Sequence, residues 1–241
     1  MSDPASVIWH DLECGTYRED LALWSGLAAR HGDPVLDVGA GSGRVALTLA
    51  RDGHAVTALD RDPELLAALA RRADGLPVRT LLADARAFTI AQRFPLVVVP
   101  MQTMQLLGGA EERMGFLRSA HDVLVPGGRL AMAIADALEP FDVRAGFPPL
   151  LPDVTEIEGT VYCSRPVAVR EVGDGFVLER RRETVTAAGA HTAEPDAVRL
   201  QSLQPDVLEE EGRVAGFGVA PRGKVATTAD YVGSTVVMLD A

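Results

Sequence analysis

The chain has 241 residues, is 47% hydrophobic and carries a formal net charge of −11 at pH 7, enough apolar material for one large or two small domains with a substantial core. An acidic chain with one lysine, Lys224, lacks the cations that displace counterions from phosphates, so nucleic acid is excluded as an expected partner. No apolar run approaches the ~18–20 residues that cross a bilayer, the start Met1-Ser-Asp-Pro-Ala5 has neither a basic cluster nor an apolar stretch, and Cys14 and Cys163 stand far apart. The expectation is a cytoplasmic protein with no membrane partner, no disulfide framework and no metal site.

Residues 1–32 read as a helical lead-in, with Leu21, Leu23, Trp24 and Leu27 forming the apolar stripe of one helix from Gly15 to Ala29. Residues 33–136 alternate short β-rich runs with helical ones, the pattern of a parallel sheet built from βαβ units. Pro34–Val38 is the first strand, followed by a helix from about Gly43 to Asp52 that Gly53 ends. Ala55–Leu59 is the second strand. Asp62-Pro63-Glu64 then opens a helix with an aspartate cap, a proline in the first turn and an acid behind it, running to Arg72. Val78–Leu82 and Leu96–Pro100 are the third and fourth strands, the latter apolar on both faces. Glu111–Leu124 is a helix, and Pro126-Gly-Gly128 turns the chain into a fifth strand, Arg129–Ala135.

Residues 137–203 change pattern. Val161, Cys163, Val167 and Val169 alternate with more polar positions, Gly173-Asp-Gly175 supplies a turn, and Val177–Thr186 and Ala197–Leu203 follow as strands. Two or three antiparallel strands are expected here. Arg180-Arg-Arg182, flanked by Glu179 and Glu183, reads as a solvated strand face with cross-strand charge pairs. Residues 204–241 supply a helix, Pro205–Ala215, and strands, the last of them Ser234–Asp240, that complete the core sheet.

The glycine-rich loop after the first strand admits two registers. The dinucleotide fingerprint fits only as Gly41-Ser-Gly43-Arg-Val-Ala46, with Asp60 nineteen residues beyond Gly41. Started at Gly39 it fails, because Arg44 takes the position that needs a small residue. A better match spans more of the chain. Asp37-x-Gly39-x-Gly41-x-Gly43, Leu59-Asp60, Ala83-Asp84-Ala85, the apolar fourth strand and Pro126-Gly-Gly128 occur in the order found in class I S-adenosylmethionine-dependent methyltransferases, which residues 33–135 resemble. The layout is most similar to members acting on small molecules, amines or sugar amines among them.

The resemblance implies an α/β, Rossmann-like, doubly wound sheet of seven mostly parallel strands with an antiparallel insert as a lid. It implies S-adenosyl-L-methionine as cofactor and methyl transfer to nitrogen or oxygen of a small molecule, with a homodimer compatible. Gly39, Ala40, Gly41 and Gly43 would pass under the methionine portion, where a side chain would clash. Asp60 would accept from both ribose hydroxyls, and Asp84 from the adenine amino group while the Ala85 amide meets a ring nitrogen. Leu59, Arg61 and Met101 would flank the adenine, and Asp37 would orient the loop near the cofactor's ammonium group. Tyr17, in the lead-in, would contact the methionine carboxylate. Taken singly, Asp37 also reads as a strand-end acceptor, Asp84 as a helix cap and Tyr17 as a core residue.

No obligatory catalytic residue can be named, because methyl transfer from a sulfonium needs alignment and dehydration, with a base only where the acceptor holds a proton. Asp136 is a candidate base or cation-holding carboxylate, or a solvated strand end. Gln102 and Gln105 are candidates for binding substrate or for capping the next segment, and Tyr162 and Arg165 are pocket candidates or ordinary strand positions. Pro100-Met-Gln-Thr103 departs from the Asn/Asp-Pro-Pro-aromatic motif of the family's DNA-amino methylating members. An NAD(P)-dependent oxidoreductase and a non-catalytic S-adenosylmethionine-binding protein stay open as alternatives.

Overall fold

The computed structural model describes residues 3–228 and 231–241. Met1 and Ser2, part of the start on which the expectation of no secretory signal rests, lie outside them. In chain order the elements are α1 (Ala5–Cys14), α2 (Leu21–His31), β1 (Val35–Val38), α3 (Arg44–Arg51), β2 (Val56–Asp60), α4 (Pro63–Arg72), β3 (Val78–Leu82), β4 (Phe94–Val99) and the one-turn α5 (Thr103–Leu106). They continue as α6 (Ala110–Val123), β5 (Leu124–Ile134), β6 (Phe141–Asp142), β7 (Asp153–Ile157), β8 (Thr160–Val172), β9 (Gly175–Val185), β10 (His191–Gln201), α7 (Pro205–Val214), β11 (Gly218–Val225) and β12 (Ser234–Asp240). The chain forms two compact units, Tyr17–Ala137 with Leu203–Ala241 and Met1–Thr16 with Leu138–Ser202.

The larger unit is built on a seven-stranded sheet in the order β11-β12-β5-β4-β1-β2-β3. Strands β1 to β5 run parallel, while β12 is antiparallel to β5 and β11 to β12. All four residues of β1 are buried, and Val97 and Val98 of β4 turn to opposite apolar clusters. One cluster gathers Trp24 of α2, Leu49 of α3 and Leu69 of α4; the other gathers Phe116 of α6 and Leu208 of α7. Helices thus cover both faces, and the strand order reverses between β1 and β4, where the carboxyl ends leave a crevice. The aspartate cap of α4 forms as the sequence predicts: the Asp62 carboxylate accepts from the Glu64 and Leu65 amides at 2.8 and 3.2 Å.

Two expectations need correction. The helix expected from Gly15 to Ala29 starts only at Leu21, because a separate helix, α1, ends at Gly15, whose amide donates to the Asp11 carbonyl at 2.8 Å where a Cβ would sit 2.6 Å from that oxygen. The chain then turns before α2 begins. The C-terminal strands are β12 and an edge strand, β11, whose place the sequence hides: Gly218, Pro221 and Gly223 are poor strand formers, tolerated at an edge with a bulge between Ala220 and Gly223. The insert is also larger than expected.

The smaller unit is a five-stranded antiparallel sheet in the order β10-β9-β8-β6, with β7 paired to β8. Helix α1 packs on it through Trp9, which meets Tyr162 edge-on at 5.3 Å. Arg182 lies over the Trp9 ring at 5.4 Å and forks onto Glu13 at 2.8 and 2.7 Å, while the Ser164 hydroxyl donates to the same carboxylate at 2.7 Å. Burial pushes the Glu13 carboxyl up, yet the bonds from Arg182 and Ser164 outweigh it and hold the group below its ordinary value. The Arg180-Arg-Arg182 run is therefore less solvated than its sequence suggests. Arg181 is 56% exposed, but Arg180 and Arg182 are 21% exposed and paired with Asp153 and with Glu13 and Asp196. Among the described residues no helix is long and apolar enough to cross a membrane.

In the larger unit, Arg113 of α6 forks onto Glu211 of α7 at 2.9 and 2.6 Å and also donates to the Gly108 carbonyl, with both side chains nearly buried. Arg113→Ala strands a buried carboxylate and is expected to cost about 3–5 kcal/mol in urea denaturation, whereas Arg113→Met with Glu211→Leu recovers most of it. An unchanged urea midpoint in the single variant would show that the pair contributes nothing.

Candidate functional site

Between β1 and α3 the backbone turns through three left-handed glycines, Gly39 at φ 73°, Gly41 at 54° and Gly43 at 102°. The path is pinned to β2: the Gly39 and Ala40 amides donate to the Leu59 carbonyl at 2.9 and 3.0 Å, and the Gly41 amide to Asp60 Oδ2 at 2.8 Å. Asp60 Oδ1 accepts from the Asp62 amide at 2.9 Å. Each carboxylate oxygen has accepted one N–H and has a lone pair left for a further donor.

The reason for glycine is partly different from the one the sequence suggests. A Cβ on Gly39 would lie 2.6 Å from the Oγ1 and Cγ2 of Thr103, and one on Gly43 would run into Leu69 and come within 3.1 Å of Leu47. At these two positions the protein's own packing, together with the positive φ, excludes a side chain.

Asp37, one residue before the end of β1, is fully buried, and neither of its carboxylate oxygens has a well-formed hydrogen bond. Burial pushes its pKa up to about 7; Arg44 and the Ala46 amide in the first turn of α3 pull the other way, and Asp60 and Asp20 push it further up. An orphaned buried acid beside a glycine loop fits a ligand that brings a cation, such as the ammonium of S-adenosylmethionine. It fits a pyrophosphate poorly, because a carboxylate already occupies the helix end that would hold one.

A cluster that is almost silent in the sequence lies behind the loop. Arg44, the first residue of α3, donates through both terminal nitrogens to Asp20 and through Nη1 to the Tyr17 carbonyl at 3.0 Å. Asp20 also accepts from Trp24 Nε1 at 2.8 Å. Only the four-residue spacing of Asp20 and Trp24 hints at it. Tyr17 is buried here, under Arg44 at 5.1 Å and against Tyr231 at 5.0 Å. Burial, with Asp20 and Glu19 nearby, pushes its phenol up to about 12 despite Arg44 and a bond with Ser234.

The remaining candidates of this unit also sit past the carboxyl ends of the parallel strands. Asp84, beyond β3, is half-buried and taken by Arg86, whose guanidinium forks onto it at 3.0 and 2.5 Å; those bonds and the Arg86 amide hold its pKa at about 2. Ala85 packs against the core and Arg61 is exposed. Met101, beyond β4, is left-handed at φ 56°, uncommon for a residue with a side chain. Gln102 precedes α5 without capping it through its side chain. Gln105 is buried, and both ends of its amide are spent on the Ala135 backbone at 2.8 and 3.1 Å, which makes it a tie between α5 and β5. Asp136, beyond β5, accepts from the Thr235 hydroxyl at 2.9 Å. Tyr162 and Arg165 lie in the smaller unit.

Residues 35–128 match a family model described as a methyltransferase domain. The fold aligns with the CcbJ methyltransferase from Streptomyces caelestis at a TM-score of 0.71 (19% identity, 99% of this chain and 96% of that one). It aligns with CalS10, an amino pentose methyltransferase from Micromonospora echinaspora, at 0.71 (20% identity, 96% of each chain). With the sugar N-methyltransferase KedS8 from Streptoalloteichus sp the score is 0.73 (17% identity, 98% of this chain and 93% of that one). At these identities the likeness establishes the fold. No curated protein sequence matches the chain. Over residues 35–128 the chain is thus similar to methyltransferase domains, and it shares the fold of the methyltransferases named above.

The folded protein keeps the Asp37 proton up to about pH 7, whereas an unfolded aspartate releases it near ~3.9, so folding takes up a proton across that window. The contribution of Asp37 is full below ~3.9 and is lost as pH rises through about 7. In ligand-free protein the stability of Asp37→Asn relative to wild type is therefore expected to grow from pH 4 to pH 7. A pH-independent difference in urea denaturation would contradict the burial of this acid.

Proposed function

We propose that the chain is a class I S-adenosylmethionine-dependent methyltransferase, an enzyme that transfers a methyl group from S-adenosylmethionine to nitrogen or oxygen of a small molecule and binds the cofactor along Gly39–Gly43 between Asp37 and Asp60. The observation that carries this reading is the buried Asp37, without a well-formed hydrogen bond, beside a loop already anchored by Asp60. When bound, the cofactor supplies an electrophilic methyl group on a sulfonium.

The residues then divide the work. Asp60 receives the ribose hydroxyls on the lone pairs its two amide bonds leave, and Asp37 receives the ammonium. Asp84 takes the adenine amino group while sharing its carboxylate with Arg86, the Ala85 amide meets the ring, and Arg61 and Met101 flank it. Ala40 follows the loop backbone, and Tyr17 stands behind it toward the methionine carboxylate. Asp136, fixed by Thr235, is the candidate base for an acceptor that must lose a proton, with Gln102 as a polar contact. Tyr162 and Arg165 belong to an insert, residues 137–203, that selects the acceptor.

A small acceptor is supported by the net charge of −11, which opposes nucleic acid. The amino pentose and sugar N-methyltransferases that share the fold favour an amino group. Calorimetric titration with S-adenosylhomocysteine and with NAD tests the cofactor, and methyl transfer to a panel of amino sugars and hydroxylated compounds tests the acceptor. Asp60→Ala is expected to weaken S-adenosylhomocysteine binding at least about tenfold, since charge-assisted hydrogen bonds are worth roughly 1.5–3 kcal/mol each, with a smaller effect on the thermal midpoint. Unchanged affinity in that variant would remove Asp60 from the site.

A further inference from the structure

The smaller unit contains seven arginines, and six are held by carboxylates. The seventh, Arg165 on β8, has no ion pair among the described residues, and its Nε is buried with no hydrogen-bond partner. A buried donor left without an acceptor destabilises the fold, and more so when it is charged. The strand register adds a second cost. Arg165 stands directly opposite Arg181 of β9, and like charges facing each other across a pair of strands are destabilising. Arg181 is only lightly committed: it is 56% exposed and reaches Glu183 through one contact at 3.3 Å. A third feature adjoins them. The β8–β9 ladder shifts register between Pro166 and Ala168, immediately after Arg165, and such bulges re-aim side chains beside binding sites.

An orphaned guanidinium, a like-charged neighbour and a bulge share one resolution, which is an anion placed between the two forks. We propose that Arg165 and Arg181 form a binding site for an oxyanion, a carboxylate or a phosphate, carried by a small molecule. Guanidinium groups suit this ligand because their planar N–H pairs match two oxygens at once. The site lies within one unit and needs no cofactor, so it stands independently of the methyl-transfer assignment.

The test is calorimetric titration of the full chain with inorganic phosphate and, separately, with acetate at constant ionic strength. Saturable binding of at least one anion is expected, and which of the two binds separates a phosphate site from a carboxylate site. Arg165→Met is expected to weaken it at least tenfold, and Arg181→Gln at least threefold. Arg199→Gln, whose partner Asp174 lies on an exposed turn, should leave it unchanged. Thermal midpoints keep the variant informative: Arg165→Met, relieved of an unpaired buried donor, should melt no lower than wild type without anion and should lose the rise that the bound anion gives wild type. No saturable binding of either anion by wild type, or binding that survives in Arg165→Met, overturns the proposal.

Discussion

The Asp60 carboxylate extends past the strand ends the tie that the Leu59 carbonyl makes between β1 and β2. One oxygen holds the Gly41 amide beyond β1 and the other the Asp62 amide at the start of the α4 cap. Glycines with positive φ have many paths open to them, and this bridge, with the Leu59 carbonyl beneath it, selects one. From there the consequences run outward: Gly43 sets the first turn of α3, Arg44 emerges toward Asp20, and Asp20 takes the Trp24 indole and so fixes α2. The glycine loop and α2 are parts of one hydrogen-bonded structure.

That arrangement leaves one expense unmet. Asp37 is buried without a well-formed partner, a costly state for a carboxylate, and it stands two residues before the first glycine of the same loop. Stability given up at a strand end where ligands bind in such sheets is the kind of local violation that function explains. The smaller unit repeats the pattern with opposite sign at Arg165. In both places the fold holds a charged group that a ligand of complementary charge would complete.

The parallel core was legible because its signals are local. The Asp62-Pro63-Glu64 cap, the doubly apolar β4 and the strand Ser234–Asp240 each announce themselves within a few residues. What failed depended on distance or on edges. The break between α1 and α2 follows from Gly15 closing one helix and from Asp20 bonding to Arg44, 24 residues on. Strand β11 has the composition of a loop and pairs only because β12 offers it an edge. Of the site, the sequence named the acids and glycines but misjudged why two of the glycines are needed: Thr103 and Leu69, distant in sequence, fill the space a Cβ would take. Gln105 was open between substrate and scaffold because nothing local shows that Ala135 takes both ends of its amide.

The central claim is that the cofactor lies along the loop that Asp60 anchors. Amide hydrogen exchange measured with and without saturating S-adenosylhomocysteine tests it most directly. The strongest added protection is expected at residues 39–43 and 60–62, with a weaker effect at 84–85 and 101–102. Binding that leaves the exchange of residues 39–43 unaltered, or protection confined to other parts of the chain, would contradict it.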